Sequence, residues 1–318
     1  MKEYTNRCVL IMPYFGRLPS CLGTYLASLQ GKNFDVLWIS DLPVREHPDN
    51  FKIVHMTFDE CRARMADRLG APVCVNGGYR LCDFKPMYGQ VFEDLISNYD
   101  YWGFGDCDLV YGKAFNDFLK RTVETDKYDV ISMQAEYLSG ATCFLRNNER
   151  MRMLYRKARD WESVCAWNGS RILNFDECGG MFFSQLKAGT MTMEDCSRIH
   201  DSFAAVIWRE PNLNFYHENV IDECNLRNGE VIEMQGGGGC RETAFLWWRI
   251  ISSWRRSLAG SSFHASHTDM SAIIASSQAD SITANGRGGR VPSVKSSVAF
   301  LSLSIPLLFG LRGGSLAA

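Results

Sequence analysis

The chain opens on a short unbroken apolar run, Cys8-Val9-Leu10-Ile11-Met12, closed by Pro13-Tyr14-Phe15-Gly16. A run this short, bounded by turn residues, predicts a strand buried on both faces. Between Pro19 and Leu29, apolar residues return at Leu22, Tyr25, Leu26 and Leu29, the spacing of one helix face. Phe34 to Asp41 and Phe51 to Met56 repeat the buried-strand pattern. Thr57, followed three residues later by Glu60, is a capping box that opens a helix reaching about Leu69. This β-α-β-β-α order predicts an α/β sandwich around a mostly parallel sheet.

The pattern continues with an amphipathic helix from about Met87 to Ile96 and an aromatic strand, Tyr101-Trp102-Gly103-Phe104-Gly105. A helix over Phe115 to Thr122 and a strand over Tyr128 to Met133 follow. Thr142 to Asn148 predicts a strand leading into a helix that runs to about Trp161. Residues 170–240 are mixed in pattern and give no clear elements.

Composition divides the chain at about residue 240. All 12 cysteines and all 12 tyrosines lie at or before Cys240, and residues 1–240 carry a net charge of −7. Residues 241–318 carry +5 and 16 serines, with a glycine-arginine stretch from Asn285 to Arg290. The prediction is one domain over 1–240 and an atypical, poorly ordered tail over 241–318, or a tail translated from a shifted reading frame. The overall net charge of −2 offers no basic field for a phosphate backbone, which argues against nucleic acid as a partner. No run of 18 apolar residues predicts a transmembrane segment, and Met1 to Arg7 lead into no signal-peptide core. The cysteines form no CxxC pair and no zinc-ligand spacing, and several sit inside apolar runs. They are expected to be reduced thiols in a cytoplasmic compartment.

The sharpest chemical signal is Gly105-Asp106-Cys107-Asp108. Two aspartates at i and i+2 on extended chain point to one side, here at the carboxyl end of a predicted strand. In open α/β sheets that edge is where ligands bind. Two carboxylates there suit a hard divalent ion, Mg²⁺ or Mn²⁺, completed by phosphate oxygens and water. The same four residues also suit a surface turn.

Three stretches carry a family resemblance: Met12-Pro13-Tyr14-Phe15-Gly16, Leu81 to Gly89, and Tyr101 to Gly112, with Tyr137 to Gly140 and Phe144 to Asn148 after them. Together they resemble a poorly characterised family of polysaccharide-biosynthesis-type glycosyltransferases with a GT-A-like fold, over roughly residues 7–235. The resemblance implies a nucleotide-diphosphosugar transferase sandwich, a nucleotide-sugar donor, a glycan or other hydroxyl acceptor, and Mn²⁺ or Mg²⁺. Carried onto this chain, it makes Asp108 the direct metal ligand and Asp106 a ribose or water-mediated metal contact. Lys85 becomes a diphosphate contact, with Asp83 beside it on the donor side; as sequence, Lys85 equally suits a surface salt bridge with a neighbouring acid. Asp41, ending the second strand, is placed for base or ribose, or serves as a turn acid before Leu42-Pro43.

An inverting transfer needs a carboxylate base near the acceptor hydroxyl. Asp176, ahead of Glu177, is the candidate, before the turn-like Cys178-Gly179-Gly180; the pair also reads as helix-start acids. His217, ahead of His200, is the candidate third metal ligand. Two other classes remain open. A sugar-nucleotide nucleotidyltransferase would need a glycine- and lysine-rich loop after the first strand, where Pro13 to Arg17 offers one glycine and one arginine. The third class is a non-catalytic nucleotide-sugar-binding protein of the same fold.

Overall fold

A computed structural model describes residues 7–169, 171–179 and 182–220. The segment 241–318, predicted as a tail, lies outside the described residues. Seven strands form one sheet: β1 (Cys8–Pro13), β2 (Asp35–Ser40), β3 (Phe51–His55), β4 (Tyr101–Gly105), β5 (Val130–Ser132), β6 (Thr142–Arg146) and β7 (Phe215–His217). Their order is β3-β2-β1-β4-β6-β5-β7. The pairs β3–β2, β2–β1, β1–β4 and β5–β7 are parallel, and β6 runs antiparallel to both β4 and β5. The fold is therefore α/β with a mostly parallel sheet, as the periodicity predicts.

Both faces of the sheet are covered, which is why its strands read as continuous apolar runs rather than alternating ones. Along β1, Val9 and Ile11 enter one core while Cys8, Leu10 and Met12 enter the other. The second core is closed by α1 (Leu22–Leu29) and α4 (Phe115–Thr122). The first is closed by α2 (Phe58–Leu69) and by the later helices. The capping box forms: Thr57 accepts from the Glu60 amide and Glu60 reaches back to the Thr57 amide. The ten described cysteines are free thiols, six of them buried.

Two predicted helices are broken. Instead of a helix over 87–96, a 3₁₀ segment spans Gly78–Met87, followed by the single turn α3 (Tyr88–Val91) and a second 3₁₀ turn, Glu93–Leu95. Pro86 has no amide hydrogen to continue an α-helical ladder. The buried Arg80, Asp83 and Lys85 also draw the segment toward partners in several directions. After β6, α5 (Glu149–Arg152) is capped by Asn148, a 3₁₀ turn covers Leu154–Lys157, and α6 (Trp161–Ala166) starts anew. That bend packs Tyr155 edge-on against Trp161 at 5.3 Å and sets Arg156 over the Trp161 ring. Where the sequence pattern is mixed, the chain forms α7 (Phe183–Lys187), α8 (Met193–Ile199), α9 (Phe203–Arg209) and β7.

From β1 the chain builds outward to β2 and β3, then returns to lay β4 on the other side of β1. The reversal creates a crevice at the carboxyl ends of β1 and β4, the place where open α/β sheets bind ligands. The register pairs Ile11 with Phe104, so Asp106 emerges level with the end of β1.

Candidate active site

A cleft of about 670 Å³ opens at that crevice. It is walled by the ends of β1 and β4, by the start of the 3₁₀ segment and by the 172–177 loop. Asp106, Asp108, Asp176, Glu177 and Lys85 all line it. Three stretches widely separated in sequence, around Lys85, Asp106 and Asp176, thus bring the five residues singled out from the sequence into one cavity.

Asp106 follows β4 directly, and its amide donates to the Ala141 carbonyl at 2.9 Å. Residues 107 and 108 form a turn rather than extended chain. The two aspartates therefore reach the cleft through a turn, not through the period-2 alternation of a strand.

Lys85 is the hub. It is 6% exposed, and its ammonium donates to Asp106 Oδ1 at 2.8 Å and to the Gly140 carbonyl at 2.8 Å. Asp176 Oδ2 stands 3.3 Å away. An ammonium has three hydrogens, and here it meets three acceptors. This arrangement leaves Lys85 holding carboxylates together rather than reaching out to a diphosphate. Burial alone would lower its proton affinity, but Asp106 and Asp176 outweigh burial and hold it well above the ordinary lysine value. Lys85 is thus a fixed positive charge.

Asp176 and Glu177 are raised as well, which for a carboxyl favours the neutral form. Burial raises the Asp176 carboxyl above its ordinary value, with Lys85 opposing the rise and Asp106 adding to it. Burial, then the neighbouring Asp176, raises Glu177 further. Glu177 Oε1 accepts the Gly140 amide at 2.7 Å. A methyl group at Gly140 would lie 2.5 Å from that oxygen, so a side chain there would displace Glu177. Gly140 therefore serves both sides of the site, its carbonyl taking Lys85 and its amide meeting Glu177. Three thiols, Cys21, Cys82 and Cys107, also line the cleft. Burial raises all three, Cys82 to about 12, so none is a thiolate nucleophile near neutrality.

Several expected site residues are placed elsewhere. Asp83 does not line the cleft; its carboxylate is fully buried, pairs with Arg80 and accepts the Leu173 and Phe175 amides at 2.9–3.0 Å. It anchors the 172–177 loop, and every lone-pair direction facing that loop is spent there, so it is not a donor contact. His217 ends β7, three strand spacings from β4, about 14 Å sideways. Its Nδ1 is 2.7 Å from the Ala135 carbonyl and its ring stacks on Phe215. It is not brought to the aspartates. His200 faces the Asn174 carbonyl at 3.4 Å, outside the cleft lining. Asp41 is exposed just beyond β2, on the same sheet edge but also outside the lining.

Tyr79 and Arg17 line the cleft without having been singled out in the sequence. Their signal was position alone: Arg17 follows the turn that ends β1, and Tyr79 follows the Gly77-Gly78 pair.

Among the described residues, no group of three or more His, Cys, Asp or Glu side chains is arranged to hold a metal. Of the four carboxylates that line the cleft, Asp106 and Asp108 are the pair at the end of β4. Mg²⁺ and Mn²⁺ are commonly held by one or two carboxylates plus substrate phosphates, so this pair fits such an ion without a histidine.

The chain belongs to a family of unknown function, DUF6625, which it matches over residues 10–249. No curated protein matches the sequence.

Proposed function

We propose that the protein is a metal-dependent glycosyltransferase of GT-A-like fold, moving a sugar from a nucleotide-sugar donor to a hydroxyl acceptor. The observation that carries this reading is the placement of Asp106 and Asp108 at the β1/β4 crevice, in one cleft with Asp176 and Glu177.

Charge favours the same reading. The cleft lining holds four carboxylates and two cations, Arg17 and Lys85. Lys85 is already surrounded by acceptors. A diphosphate entering such a cavity would be repelled unless a divalent cation stood between it and the aspartates. Bound there by Asp108 and Asp106, Mn²⁺ or Mg²⁺ would supply Lewis-acid stabilisation of the departing diphosphate. Asp176, kept ionised beside Lys85, takes the proton of the acceptor hydroxyl. Glu177, raised further, keeps its proton and stays out of that role. A pair of carboxyls driven apart in this way divides base from bystander. Arg80 and Asp83 hold the loop that carries both.

The test is incubation of the full chain with a panel of UDP- and GDP-sugars, with and without Mn²⁺. Metal-dependent release of nucleoside diphosphate supports a transferase. Release of nucleoside monophosphate or triphosphate would indicate nucleotidyl chemistry instead. No release, and no metal-dependent binding of any of the panel, would sink the reading.

A further inference from the structure

We infer that Tyr79 is the stacking wall of a nucleobase subsite at the β1 side of the cleft. This rests on the nucleotide-sugar reading above and says where on the cleft the nucleoside lies.

Three large apolar side chains among the described residues stand well exposed: Tyr79 at 73%, Ile199 and Trp208. Only Tyr79 lines the cleft. An exposed aromatic ring at the lip of a polar cavity is a surface for a flat ligand.

Tyr79 does not sit on a loose loop. The preceding Gly78 packs directly on the turn after β1, where an added methyl would lie 2.8 Å from the Phe15 carbonyl oxygen. The following Arg80 is buried, ion-paired to Asp83, bonded to the Val164 carbonyl at 2.5 Å and seated over the Phe84 ring. The turn on which Gly78 rests is itself fixed: Tyr14 stacks on Trp38 at 4.8 Å and donates to the Arg17 carbonyl at 3.0 Å. The backbone that carries the ring is therefore fixed on both sides, which limits the ordering cost of stacking on it.

The direction of the ligand follows from the sheet. β4, which carries the aspartates, has β6 on one side and β1 on the other. Glu177 meets the chain at Gly140, which leads into β6, and Asp176 is joined to the same residue through Lys85. The reacting sugar must lie toward them. A diphosphate at Asp106 and Asp108 then leaves its nucleoside pointing the other way, over the end of β1, where Gly78 and Tyr79 stand. A nucleobase offers a flat face, and an aromatic ring accepts any base by stacking without reading its edge.

The test is calorimetric titration of the full chain, with Mn²⁺, by UDP, GDP and inorganic pyrophosphate, on the unaltered protein, Tyr79→Ala and Tyr79→Phe. Tyr79→Ala is expected to weaken UDP and GDP by roughly 5- to 150-fold, the range of one lost base stack. Pyrophosphate affinity should stay unchanged, and Tyr79→Phe should restore the nucleotides. Unchanged UDP and GDP affinity in Tyr79→Ala overturns the inference and leaves the transferase reading standing. An equal loss for pyrophosphate overturns it too, since the effect would not be on the base. If the unaltered protein binds none of the three, the nucleotide-sugar reading fails with it.

Discussion

Lys85 Nζ lies 2.8 Å from Asp106 and 3.3 Å from Asp176, so one buried ammonium joins the carboxylate after β4 to the carboxylate of the 172–177 loop. Two segments 70 residues apart in sequence are thereby fixed at a common charge. Without it, the buried Asp176 would face the half-buried Asp106 with no cation between them, which favours the neutral form of Asp176.

Lys85→Met should show this in two ways. Removing one partner of a buried ion pair typically costs about 3–5 kcal/mol, so urea denaturation should find a large loss of stability. The pH at which turnover is half lost on acidification should move upward, because Asp176, without the Lys85 ammonium, would take up a proton more readily. Unchanged acid sensitivity in a folded Lys85→Met protein would show that the ammonium does not govern that carboxylate.

Asp108→Asn keeps nearly the same shape and removes one anionic ligand. The thermal transition should stay close to that of the unaltered protein, while Mn²⁺-dependent UDP and GDP binding weakens. Turnover should fall by a factor on the order of 10² or more. The exposed Glu124→Gln is the control and should change neither. Unaltered nucleotide affinity and metal dependence in Asp108→Asn would reduce residues 106–108 to a surface turn.

Asp83→Asn separates scaffolding from binding. Arg80 would keep its charge in a buried place without the ionised partner, a loss on the order of 3 kcal/mol or more. Chemical denaturation should report it. At a temperature where the variant is still folded, nucleotide affinity should fall far less than in Asp108→Asn, since Asp83 does not line the cleft.

Glu177 makes stability depend on pH. A carboxyl raised by folding holds its proton more tightly folded than unfolded. Stability is then highest when the group is protonated, and it falls as pH climbs from the ordinary carboxylate range through the raised value. Glu177→Gln keeps an oxygen for the Gly140 amide and removes the ionisation. Melting curves from pH 5 to pH 9 should therefore fall less steeply in the variant, with its gain greatest at the alkaline end. Parallel curves for the two proteins would show that Glu177 ionises as freely folded as unfolded.

Local patterns revealed much of the scaffold. β1, β2, β3 and β4 each appear as a compact apolar run because both faces of the sheet are covered, and α2 announces itself through Thr57 and Glu60. The interruptions at 87–96 and 149–161 were less legible, because tertiary contacts such as Tyr155 against Trp161 override a helical spacing. Among site residues, Asp106, Asp108, Asp176, Glu177 and Lys85 do converge on one cleft. Asp83 and Lys85, two positions apart, were indistinguishable as sequence, and only the three-dimensional turn of the 3₁₀ segment sends one into the core and the other into the cleft. The separation of His217 from the aspartates depends on strand order, which no single stretch of sequence carries.

The reversal of β6 gives the two lips of the cleft opposite origins. On the β1 side the chain leaves the sheet at the cleft, while on the β6 side it enters the sheet there, through Ser139, Gly140 and Ala141. Insertions in the connection before β6 would thus remodel one lip while the ladder pairing Gly105 with Thr142 stays in step. The lip after β1 is tied to the 3₁₀ segment through Phe15 and Gly78 and has no such slack. Residues inserted ahead of Ser139 are therefore expected to disturb the sheet less than residues inserted between Pro13 and Phe15.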